Sequence, residues 1–190
     1  AYVKMQAMSV GTQRNQHQRQ KGFTIVELLI VIVVIAILAS ITIVAFNGVQ
    51  SQARDSKIQN DIRNLEQAIR LARLNSSSVA LRYVTNSTAT GSGCWGKATG
   101  TDLAALPQTD GCWVAYNNAL DRISSASGMN VRGLIDPWGR PYYIDENEGE
   151  GANPPTACNA DAIGYYAQPF TTGQTMIRVR SIERIQPACT

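Results

Sequence analysis

The chemistry open to this chain is narrow. Its one histidine, His17, lies in a basic first segment, and beyond that segment the sequence offers no Ser/His/Asp set, metal cluster or phosphate-cradling glycine loop. An enzyme is therefore not expected. Four cysteines, Cys94, Cys112, Cys158 and Cys189, all follow residue 90. None forms a C-x-x-C pair, which argues against zinc. An even count in a segment expected outside the cytoplasm reads as two disulfides, with three pairings open. The acidic run holding Asp145, Glu146, Glu148 and Glu150 could bind a hard cation such as calcium through oxygen ligands. It lacks an EF-hand spacing and reads more simply as a solvated loop, so no cofactor is expected. The remaining group is Glu27, a single carboxylate in a long apolar run. Such a charge costs roughly 2.5 to 3.5 kcal/mol at mid-membrane and less toward the edge, so it calls for a partner. The plainer reading is a carboxylate that snorkels to the interface.

The element that must position Glu27 is a membrane-crossing helix. Residues 23–46 are apolar except for Thr24, Glu27, Ser40 and Thr42, and a helix of that length, at ~1.5 Å per residue, crosses a ~30 Å hydrocarbon core. An ordinary secretory signal has a shorter core followed by a small-residue cleavage site, and none is evident here. Before the run lies a polar, glutamine-rich segment without acids. Of the 17 basic residues in the chain, Lys4, Arg14, Arg19 and Lys21 precede residue 22, which leaves 13 against 14 acidic ones beyond it. The basic excess is thus a topological signal, setting the N-terminus inside and the rest outside, and it says little about nucleic acid.

Beyond the span the helix is expected to continue. No proline occurs between Phe23 and Pro107, and Ile58, Ile62, Leu65, Ile69 and Ala72 draw one apolar stripe that should bury against a head. Leu71 and Leu74 fall on the other face. Gly48 is a point where this helix could bend, and Ser76, Ser77 and Ser78 supply a stop. Strand-like runs occur at residues 141–144, 162–166 and 176–182, the last alternating Ile177 and Val179 with Arg178 and Arg180. Val114, Leu120 and Ile123 allow a short helix within residues 113–125. The expected fold class is α+β: a long N-terminal helix, transmembrane in its first half and amphipathic in its second, packed on a small antiparallel sheet.

Lys21-Gly22-Phe23-Thr24-Ile25-Val26-Glu27-Leu28-Leu29 resembles the type III signal of type IV pilins and type II secretion pseudopilins. That resemblance implies a cytoplasmic leader, residues 1–22, removed by a prepilin peptidase between Gly22 and Phe23, with methylation of the new Phe23 amine. It also implies that Glu27 pairs with the Phe23 amine of a neighbouring subunit and sets the register of a homopolymer. The other expected regions are the transmembrane, assembling half of the helix at 23–46, its amphipathic half at 47–78, and a head at 79–190.

A second stretch, Asp136-Pro137-Trp138-Gly139-Arg140-Pro141-Tyr142, resembles the D-P-W-G-x-P-Y turn of major pseudopilins and several pilins. Its residue types suit a turn into the sheet, with Trp138 as a core anchor. Cys94 is expected to pair with Cys112, closing a glycine-rich loop. Cys158 with Cys189 would resemble the terminal disulfide-bounded loop of many type IV pilins. The pseudopilin resemblance implies a calcium site in a Gly- and Asp-rich loop after the strand near Ile163, yet Gln168-Pro169-Phe170-Thr171-Thr172-Gly173 contains no acid.

These features together lead to a pilus subunit for adhesion, motility or DNA uptake as the first expectation, with a major pseudopilin of type II secretion as the alternative. The disulfides and the acid-free loop favour the pilus; the D-P-W-G turn favours secretion. Either would meet membrane lipid, a prepilin peptidase, and an inner-membrane assembly platform with its ATPase. The precursor would sit in the bacterial cytoplasmic membrane, head outward, before entering an extracellular or periplasmic filament.

Overall fold

A computed structural model describes residues 22–76, 80–87, 90–149, 158–173 and 176–184. Apart from Gly22, the expected leader lies outside them, as do Ser77, Ser78, Glu150 and Cys189. The elements run α1 (Ile25–Asn75), α2 (Leu81–Thr85), α3 (Ser92–Trp95), α4 (Gly111–Ser127), β1 (Tyr143–Asp145), β2 (Ala162–Tyr166) and β3 (Met176–Ser181). The chain divides into two compact units, residues 1–47 and 48–190.

In the first unit, α1 contains a stretch, Ile25–Thr42, of 18 residues with mean hydropathy 3.0 and no buried position. Its length and composition suit a bilayer. The polar side chains in it bond to their own helix. Ser40 Oγ donates to Ile37 O at 2.7 Å, and Thr42 Oγ1 reaches Leu38 O at 3.0 Å and Ala39 O at 2.9 Å. Neither hydroxyl is thus left bare in hydrocarbon. The helix is 51 residues long and runs unbroken through Gly48.

In the second unit, Ile58, Ile62, Leu65, Ile69 and Ala72 are all buried, none more than 2% exposed. They share one apolar cluster with Leu81 of α2, Trp113, Tyr116, Leu120 and Ile123 of α4, and Tyr142, Ile144, Ile163 and Ile182 from the sheet and its flanks. The 4-3-4-3 spacing keeps these side chains on one helix face, which is why the stripe buries as a unit. Leu74 stays exposed and Leu71 is half-buried. The end of α1 is tied down by Asn75 Nδ2, which donates to Ala126 O at 2.9 Å.

Helix α4 is longer than the 113–125 segment expected. Asp110 accepts from Cys112 N at 2.8 Å as its N-cap, which starts the helix at Gly111, two residues before Trp113, and Gly128 closes the far end in the left-handed region. Val114, expected on the apolar face, is exposed, whereas Leu120 and Ile123 are buried. Helices α2 and α3 were not foreseen; each is about a turn long, below the length at which periodicity registers.

The sheet is antiparallel, with strand order β1-β2-β3. Its first strand starts two residues later than the sequence suggests, at Tyr143; Pro141 has no N–H to give a strand ladder. The clean alternation expected in β3 does not hold. Gly164 pairs with Arg178 and Ile163 with Arg180, so Val179 is an inserted bulge residue, and Ile177 is 41% exposed. An inserted residue shifts the phase of every side chain beyond it. At the same place the strands approach closely: a Cβ on Gly164 would lie 2.1 Å from Ile177 O. Glycine is the residue that fits.

A second apolar cluster gathers Cys94, Leu103, Cys112, Tyr143, Tyr166 and Phe170. Cys94 and Cys112 form a disulfide, S–S 2.09 Å, joining α3 to α4. Cys158 is also disulfide-bonded.

Candidate functional site

Two places concentrate the residues singled out above. The first is the start of α1. Thr24 N and Thr24 Oγ1 donate to Glu27 Oε2 at 2.8 and 2.9 Å, and Glu27 N donates back to Thr24 Oγ1 at 3.2 Å. This is a reciprocal capping box, in which side chains at the N-cap and three residues later satisfy the first backbone donors of the helix. The signal was present in the sequence as Thr24-x-x-Glu27 and was not read there. Both bonds fall on Oε2; among the described residues, Oε1 accepts none. Phe23 is 90% exposed, and among the described residues nothing lies within 4 Å of the Cβ position of Gly22. In the uncut chain Phe23 N is a peptide nitrogen, so a cation can form there only after cleavage.

The second place is the turn before β1. Asp136 organises it: Oδ1 accepts from Trp138 N at 2.9 Å and Arg140 N at 2.8 Å, and Oδ2 accepts from Arg140 Nε at 2.7 Å. Its backbone N–H donates to Arg140 O at 2.9 Å, and Gly139 N donates to Asp136 O at 3.0 Å. Gly139 has φ +79°, a conformation glycine adopts without strain. The Asp136–Arg140 pair is almost completely buried. Trp138 is not the core anchor expected of it. It is 40% exposed, stacked on Tyr165 with centroids 6.2 Å apart, and faced by the Arg140 and Arg54 guanidinium groups at 4.8 and 5.7 Å. Its indole body is wrapped by cations and an aromatic ring.

Tyr142 takes the core position that Trp138 lacks. Its hydroxyl donates to Asp61 Oδ2 at 2.7 Å, the same oxygen that Lys57 Nζ contacts at 2.5 Å, and Lys57 Nζ also donates to Ile135 O at 2.6 Å. Burial, then the Asp61 hydrogen bond, holds the Tyr142 hydroxyl well above its ordinary pKa. Lys57 and Asp61 were missed in the sequence, although their i, i+4 spacing was legible. The turn is thereby braced against the outer half of α1.

The acidic run has partners of its own. Glu146 accepts from Thr90 N at 2.7 Å and from the Thr90 hydroxyl; burial raises its pKa to about 7. Glu148 pairs with Arg73, and Asp145 accepts from Asn147 Nδ2 at 2.7 Å. Asp161 lies 3.7 Å from Arg73 Nη1 and accepts from Glu148 N at 2.8 Å, and burial raises its pKa to about 6. The expected solvated loop is instead buried at Glu146 and Glu148. Among the described residues no group of three or more His, Cys, Asp or Glu side chains is arranged to hold a metal. Arg73 could have been noticed as the residue four beyond Ile69, a cation at the edge of the apolar stripe.

Residues 17–43 match the prokaryotic N-terminal methylation motif. Similarity to known proteins extends beyond that segment. The type II secretion system core protein G of Aeromonas hydrophila is 30% identical over 130 residues, 68% of this chain and 75% of that protein. The chain belongs to the type IV pilin and pseudopilin family. The core protein G of Pectobacterium carotovorum subsp. carotovorum is 32% identical over 126 residues, 66% of this chain and 67% of its own length. That of Escherichia coli (strain K12) is 29% identical over 132 residues, 70% and 75% of the two chains. No solved structure matches.

Membership of this family accounts for the long apolar helix and the small antiparallel sheet together. It also corrects the order of the two functional expectations. The disulfides and the acid-free loop had put the pilus first, but those are local features. The similarity to pseudopilins covers helix and head alike, and the relatives that carry it are secretion proteins by name.

Proposed function

We propose that this chain is a major pseudopilin of a type II secretion system, a structural subunit whose mature form begins at Phe23. A prepilin peptidase cuts after Gly22 and methylates the exposed amine. The shortened subunit, anchored by α1 with its head outside, is then drawn into a homopolymer by an inner-membrane platform and its ATPase. Growth of that periplasmic polymer drives export.

The observation that carries this reading is the 130-residue similarity to a secretion core protein, which runs through head as well as helix. Within the site, the Gly22–Phe23 bond, beside the exposed Phe23, and the single carboxylate of Glu27 supply the chemistry. Once Phe23 N is a free cation, the Glu27 of a neighbour can accept from it, and any other register leaves a charge unpaired in an apolar bundle.

Deletion of the gene should abolish release of a secreted hydrolase, and the wild-type chain should restore it. N-terminal sequencing of the restored protein should begin at methylated phenylalanine. Unimpaired hydrolase export, with loss of surface filaments instead, would replace this reading with that of a pilus subunit. The disulfide at Cys158 and the acid-free loop before β3 favour that second reading.

A further inference from the structure

The family resemblance implies a calcium ion in the connection from β2 to β3, and the residues there do not fit one. Calcium takes six to eight oxygen ligands and depends on carboxylates for charge. No acid occurs between Asp161 and Glu183 in the sequence. Two oxygens that could serve otherwise, Phe170 O and Thr172 Oγ1, are engaged within the head, and so are two backbone N–H groups beside them. Phe170 O accepts from Gly100 N at 2.8 Å. Thr172 Oγ1 donates to Lys97 O at 2.7 Å, Thr172 N donates to Thr99 Oγ1 at 3.2 Å, and Gly173 N donates to Trp95 O at 3.4 Å.

Every one of those partners lies between Trp95 and Gly100, immediately after Cys94. The Phe170 side chain is 1% exposed, 5.9 Å from the Tyr166 ring, in the cluster that contains both sulfurs of the Cys94–Cys112 disulfide. Lys97 is fixed in turn by an ion pair with Asp110, at 2.7 Å, the residue that caps α4. The loop thus has an apolar plug, a ladder of polar bonds and a covalent tie beneath it.

We propose that the segment following Cys94, locked by the disulfide and plugged by Phe170, holds residues 167–173 after β2 in this chain, so that the head folds and this stretch stays ordered without calcium. The inference concerns this chain's own residues and does not depend on whether the polymer serves secretion or a pilus. It is tested on the full chain in detergent by near-ultraviolet circular dichroism melting and by chymotrypsin cleavage after Phe170, read from fragment masses.

Calcium and EGTA should give the same Tm within about 1 °C and the same slow cleavage. Phe170→Ala should lower Tm by roughly 10 °C, with Phe170→Leu recovering part of the loss. Thr172→Val, which leaves the plug in place, should speed cleavage after Phe170 several-fold with a much smaller change in Tm, and reduction of the disulfide should do the same or more. A Tm that falls in EGTA and returns with calcium would overturn the proposal. So would cleavage after Phe170 that is slowed by calcium, or that is indifferent to both Thr172→Val and reduction.

Discussion

The Tyr142 hydroxyl and the Asp61 carboxylate meet at 2.7 Å across 81 positions of sequence, joining the D-P-W-G turn to the outer half of the long helix. The bond has a neutral donor and a charged acceptor, a class worth about 1.5 to 3 kcal/mol when its partners are buried. Tyr142→Phe should therefore lower the unfolding free energy by about 1 to 2 kcal/mol, since Lys57 still neutralises Asp61. A urea melt of the full chain in detergent measures it. A double-mutant cycle with Asp61→Asn should return a coupling above 0.5 kcal/mol, on the scale seen for residues in direct contact.

The capping box separates two roles for Glu27 that the sequence alone merges. Glu27→Ala removes both the cap and the charge; Glu27→Gln keeps an acceptor at the third helical position and removes the charge alone. Both variants should be inserted, cleaved and disulfide-bonded at wild-type levels, and both should assemble few or no filaments. Glu27→Asp should be intermediate. Filament counts near wild type for Glu27→Gln would assign the residue to capping and end the charge-pair account.

Buried acids make the head sensitive to pH in a defined direction. Glu146 is raised from its ordinary 4.5 to about 7 and Asp161 from 3.8 to about 6, both chiefly by burial. A raised folded-state pKa means that the folded chain holds the proton more tightly. Its contribution is complete below the unfolded value and is lost as pH rises through the folded one. Stability should accordingly fall between about pH 4 and pH 7, by an amount on the order of a few kcal/mol. Urea midpoints across that window check the slope, and Glu146→Gln should flatten its upper part.

Gly164→Ala places a methyl group against Ile177 O at the β2–β3 bulge, 2.1 Å away before relaxation. The neighbour is backbone, so the strands must part. A loss of about 2 to 3 kcal/mol is expected, as for overpacking elsewhere. A melt of the full chain measures it, and an unchanged Tm would show that the bulge yields.

The long helix was legible because two independent signals, an unbroken apolar run and a stripe at 4-3-4-3 spacing, extend over fifty residues without proline. The sheet was legible in location and not in phase, because a bulge at Val179 has no mark in a six-residue strand. Trp138 illustrates a different limit. Residue type gave its size, but its half-exposed place depends on Arg54 and Arg140, whose approach is a tertiary fact. Arg73, Glu148 and Asp161 come from three separate stretches of chain, and no local pattern could have announced their meeting.

The sheet's two outer strands bear on what happens when many copies are crowded together. An unpaired strand edge is a template for another chain, and a protein concentrated in a bilayer and then stacked into a polymer would be at constant risk of runaway β-pairing. Here β1 is three residues long, and Gly91 N donates to Ile144 O at 2.9 Å, occupying part of its rim. On the opposite side β3 carries Arg178, Arg180 and the bulge, each of which discourages an incoming strand. Strand pairing between heads through either edge of this sheet is thereby discouraged, so crowding the chain need not fuse its sheets.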